Sequence, residues 1–204
     1  MTTLNGLPAH VLLVHAIVVL LPLASLLLVL SALWPAARRK LAGPNALLSV
    51  LVLILVPITT DAGDWLEHRV ASTPLVRAHT DLGDTALFVA IPVAVLALIV
   101  WWRQREFVRT AAADAVPADA APEEAVPVGA ASDGPGAAKL ATRPALTRRA
   151  FLAPASTVVT VVVAVLSVVA AGAAVYDIYR IGDSGAQASW QGQFSPTPAP
   201  GGHG

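Results

Sequence analysis

Residues 11–34 read "VLLVHAIVVLLPLASLLLVLSALW" and contain no Asp, Glu, Lys or Arg. A helix needs roughly 20 mainly apolar residues to cross the hydrocarbon of a bilayer, so this stretch is long enough to span by itself. Three further apolar runs follow, at about residues 46–60, 85–102 and 151–176. The second is short and must extend through Asn45 or Asp61 to cross. The composition agrees: of 204 residues, 56% are hydrophobic and 13% charged, with a mean hydropathy of +0.69. No run alternates apolar with polar residues, and lipid admits only helices or closed barrels. The reading is therefore all-α: a transmembrane four-helix bundle in a lipid bilayer.

The first ten residues carry no Lys or Arg, and the apolar run is longer than the h-region of a secretory signal, so the first helix is expected to be retained. Arg38, Arg39 and Lys40 lie between runs 1 and 2. Arg103, Arg105, Arg109, Lys139, Arg143, Arg148 and Arg149 lie between runs 3 and 4, which leaves only Arg69, Arg77 and Arg180 for the other side. By the positive-inside rule the basic side is cytoplasmic and both termini face outward, as expected in a plasma membrane. Trp34, Trp101 and Trp102 would form an aromatic belt at the inner interface.

On this basis residues 7–102 hold helices 1–3. Residues 103–149 form a cytoplasmic linker, disordered where Ala, Pro and Gly dominate, as in "AVPADAAPEEAVPVGAASDGPGAA". Helix 4 occupies 150–179, and 180–204 form an extracytoplasmic tail. Short connections favour antiparallel neighbours. Ser167, Ala171 and Ala174, at helical spacing, should let helix 4 pack closely. The phrase "STPLVRAHTDLGD" (72–84) predicts a helix start, capped by Ser72 or Thr73 with Pro74 in the first turn.

Polar residues collect at one end. His10 and His15 open helix 1; Asp61, Asp64 and His68 close helix 2; His79, Asp81 and Asp84 open helix 3; Asp177 and Asp183 follow helix 4. Ionisable groups beside hydrocarbon are costly and usually face the bundle interior. His15 lies roughly 7 Å deeper than His10 and roughly 140° round the helix. It is expected to point into the bundle. His10 serves equally as a headgroup anchor or a ligand, and His68, four residues from Asp64, reads as a solvated residue.

His10 and His15 in "PAHVLLVHAI", Gly63, Asp64 and Trp65 in "TTDAGDW", His79 in "RAHTDLGDTAL" and the segment "YRIGDSGAQASW" together resemble the DUF2231 family of small bacterial membrane proteins. Val11 departs from the family's usual proline after the first His, and Ala16 and Ile17 from its Phe-Pro pair. The resemblance implies a four-helix arrangement similar to that of small membrane b-type cytochromes.

Two ligand sets follow. One is haem b held by histidines of different helices, drawn from His10, His15 and His79, in a protein working with a redox partner or membrane complex. The other is a Zn or Fe site of His10, His15, Asp64 and His79. A third reading makes the same residues structural ties between helix ends. Zero cysteines exclude thiolate sites. No nucleophile triad, phosphate loop or nucleic-acid stacking surface is visible.

Overall fold

The structure is a computed structural model that describes residues 3–4, 7–114 and 156–192. The expected linker from 115 onward and the last twelve residues lie outside the described residues. A two-residue antiparallel ladder, β1 (Thr3–Leu4) with β2 (Leu7–Pro8), precedes five helices: α1 Ala9–Leu33, α2 Pro35–Glu67, α3 Pro74–Gly83, α4 Ala86–Asp114 and α5 Thr157–Trp190. Beyond that ladder the described fold is all-helical. Four segments are long and apolar enough to cross a membrane, the third being α3 and α4 taken together.

The helix boundaries have local causes. Trp34 is extended (φ −116°, ψ 112°) because the ring of Pro35 disfavours helical geometry in the residue before it. Pro35 then starts α2 at its first position, where the missing N–H is harmless. One residue thus separates α1 from α2. This corrects the expected turn at 35–45: Arg38, Arg39 and Lys40 lie on the first turns of a 33-residue helix. Arg38 reaches back to cap α1, its Nε and Nη2 donating to the carbonyls of Ser31 (2.8 Å) and Ala32 (2.6 Å).

At the start of α3, Thr73 accepts from the Val76 N–H at 3.2 Å with Pro74 next in line, as the sequence predicts. Ser156 caps α5 in the same way. Two further boundaries differ from expectation. Helix α4 continues past Trp102 to Asp114 and α5 runs on to Trp190, so residues 103–114 of the expected linker and 180–190 of the expected tail are helical.

The four long helices form a ring in which α1 and α4 each pack against both α2 and α5. The short α3 leans on α5. The centre is built from Leu21, Ala24 and Leu28 of α1, Val52 and Val56 of α2, Ala90, Val93 and Ala97 of α4, and Ala174 of α5. Ser167, Ala171 and Ala174 are all buried, and such small residues allow close helix approach. Large apolar side chains cover the outside, among them Leu47 and Phe88, each 74% exposed, and Val158 at 73%. A surface of that kind suits hydrocarbon and not water.

Arg38, Arg39, Lys40, Arg103, Arg105 and Arg109 share one end of the bundle with Trp34, Trp101 and Trp102, while Trp65 and Trp190 lie at the other. At the basic end Arg105 lies over the Trp101 ring at 4.9 Å, and Arg103, 5% exposed, donates to Thr160 Oγ1 at 2.7 Å. The other end carries the histidines.

Candidate functional site

His10 occupies the second position of α1. Its Nδ1 lies 3.0 Å from the Thr59 carbonyl on α2. A carbonyl only accepts, so Nδ1 carries the proton and donates, leaving Nε2 of the neutral ring with a free lone pair. One turn beyond Thr59, Gly63 presents bare backbone: a Cβ there would lie 3.0 Å from both Cε1 and Nδ1 of His10. The imidazole lies where any larger residue would crowd it.

His79, on α3, has a matching environment. Its Nδ1 is 3.0 Å from Ser184 Oγ on α5, and that hydroxyl donates its single hydrogen to the Ile181 carbonyl at 2.9 Å. With that hydrogen so placed, Ser184 accepts from His79 Nδ1, and the backbone of Ile181 is a second hydrogen-bond partner of the His79 ring. Gly185 supplies the bare surface, since a Cβ there would come within 2.9 Å of His79 Cε1.

The two rings meet. Their centroids are 6.4 Å apart and their planes cross at 79°. They border a cavity of about 620 Å³ enclosed by the outer parts of α1, α2, α3 and α5, with Val11, Val14, Val18, Val76 and Ile181 among its walls. This size lies in the range of small-molecule sites, which are mostly apolar with a few placed polar groups.

The remaining expected ligands do not join this pair. His15 lines the cavity, but its ring is exposed and its Nδ1 donates to the Val11 carbonyl of its own helix, which corrects the expectation that it points into the bundle. Asp64 is exposed at the rim. Its backbone carbonyl, and not its carboxylate, takes the His68 Nδ1 at 2.7 Å, and His68 is solvent-facing. Among the described residues no group of three or more His, Cys, Asp or Glu is placed to hold a metal ion. The four-residue Zn or Fe set is therefore not assembled.

Sequence reading missed Thr59, Ser184 and Gly185. A signal for the last two existed in "YRIGDSGAQASW", whose glycines lie on a helix and not in a tail. Against known proteins, the chain matches no family model, no curated protein and no solved structure.

Proposed function

We propose that this multi-pass membrane protein binds haem b between His10 and His79 and serves in electron transfer at the outer side of a plasma membrane. The observation that carries the reading is the pair itself: two imidazoles from different helices, each held through Nδ1 by a neighbouring helix, with ring centroids 6.4 Å apart. Metal-bound histidines almost always donate their other ring nitrogen in this manner. Haem, which brings nitrogen ligands of its own, would need only His10 and His79 from this chain. A bare zinc or iron ion needs three or four protein ligands, and His15 and Asp64 face away from that role.

Haem would supply one-electron exchange at this position. The chain's own residues set the conditions: Thr59 and Ser184 fix the ring orientations, Gly63 and Gly185 admit the rings, and Val11, Val14, Val18 and Val76 supply apolar wall. Kinship with DUF2231 is proposed on the same ground, since the motif residues His10, Gly63 and His79 are the ones that meet.

The test is an absorption spectrum of protein purified from haem-supplemented cells. A Soret band is expected, lost in His10→Ala and in His79→Ala and kept in His15→Ala. Absence of the band from the unsubstituted protein sinks the proposal. Stoichiometric zinc or iron that depends on His15 and Asp64 would transfer the site to the metal reading.

A further inference from the structure

Asp177 of α5 faces the bundle interior and is 8% exposed. It lies 17 residues beyond Thr160, the residue tied to Arg103 at the basic end, which places it about 25 Å along the helix and within the roughly 30 Å of hydrocarbon. An ionisable side chain there needs a partner. Among the described residues its one side-chain partner is Thr85, whose Oγ1 lies 2.9 Å from Oδ1 and 3.1 Å from Oδ2. The same hydroxyl lies 2.6 Å from the Leu82 carbonyl.

A hydroxyl has one hydrogen to give. Three acceptor oxygens therefore compete for it, and no Lys, Arg or His side chain bonds the carboxylate among the described residues. The cluster is rich in oxygen and short of positive charge.

Its position in the fold adds a second observation. Asp84 and Thr85 separate α3 from α4 at the edge of the third apolar run, which begins at about residue 85. At this break the Leu82 carbonyl accepts both the N–H (3.0 Å) and the hydroxyl of Thr85. Broken membrane helices of this kind are where backbone carbonyls coordinate small cations. The donors are all oxygen, which selects a hard cation, and a single carboxylate balances a single charge, which selects against calcium and magnesium.

We infer that Asp177, Thr85 and the Leu82 carbonyl form a binding site for sodium. It is separate from the histidine pair and does not depend on haem. The experiment is thermal unfolding of the full chain in detergent, with sodium chloride against potassium and choline chlorides at equal ionic strength. Sodium alone should raise Tm saturably, by roughly 5–10 °C at about a hundred times its Kd. Asp177→Asn should fold and lose the response, since its amide hydrogens satisfy the same oxygens without a cation. Thr85→Val, close in shape, should fold and show a weakened response. Equal Tm in all three salts, or a sodium shift retained by Asp177→Asn, overturns the inference. So does a Tm that answers to pH and to no alkali cation, which would put a proton there.

Discussion

The two histidines differ from the other two described, His15 and His68, in what lies beyond Nδ1. His15 and His68 donate to carbonyls of their own helices four residues back, a contact any exposed helical histidine can make. His10 and His79 donate to other helices, so their orientation reports how α1, α2, α3 and α5 assemble. Ligand affinity should follow that orientation. Ser184→Ala removes the acceptor for His79 and is expected to weaken haem binding roughly 10–100-fold, the usual range for partners of ligating histidines. Gly185→Ala places a methyl 2.9 Å from the His79 ring and should weaken it at least as much, whereas Gly172→Ala, away from the cavity and with nothing within 4 Å of its added Cβ, should leave it unchanged. Haem titration followed by absorbance distinguishes the three. If Gly185→Ala binds as tightly as Gly172→Ala, the ring does not hold its place during binding.

At the scale of elements, α1 and α2 are joined by the single residue Trp34 and pinned by Asn45, which is 1% exposed. With its amide oriented to suit its neighbours, Nδ2 donates to the Ala24 carbonyl and Oδ1 accepts from the Leu28 N–H, each at 3.2 Å. Interhelical hydrogen bonds in membranes contribute about 0.6–2 kcal/mol, so Asn45→Ala should destabilise by that amount. Ser49, one turn on, is buried with no partner for its hydroxyl, and Ser49→Ala should be neutral or stabilising by up to about 1 kcal/mol. Unfolding in a denaturing detergent series measures both, and a larger loss from Ser49→Ala than from Asn45→Ala contradicts the assignment. These elements also show what was legible. Apolar length revealed four spans, and Thr73 with Pro74 marked α3, because both signals are local. The extents of α2 and α5 were hidden because residues 35–45 and 177–190 carry too many polar side chains to continue an apolar run. Packing holds both segments against the bundle: a Cβ on Gly43 would lie 3.6 Å from the Trp101 indole, and Gly185 lies under His79. The convergence of His10 with His79 was legible as a shared level at one end, but not that His15 would stay exposed and bond only its own helix, which depends on helix rotation.

The whole molecule is polarised along the bundle axis. Arg38, Arg39, Lys40, Arg103, Arg105 and Arg109 gather at one end, and the histidine pair with its cavity lies at the other. Arg38 and Arg103 are held into the helix ends by hydrogen bonds, so this end is built around its cations and not merely decorated by them. The orientation proposed from the positive-inside rule puts the cavity outward. Because the chain has no cysteine, single introduced cysteines report their side without background. Ser72→Cys, in the exposed connection between α2 and α3, and Ala112→Cys, on the exposed last turn of α4, are the informative pair. In intact cells a membrane-impermeant maleimide should label Cys at 72 and spare Cys at 112, with both labelled after the membrane is opened. The reverse pattern would put the histidine cavity on the cytoplasmic side, where electrons would have to arrive from cytoplasmic donors. Labelling at both positions in intact cells would mean the bundle does not adopt one orientation, and the polarity of its charges would then have another cause.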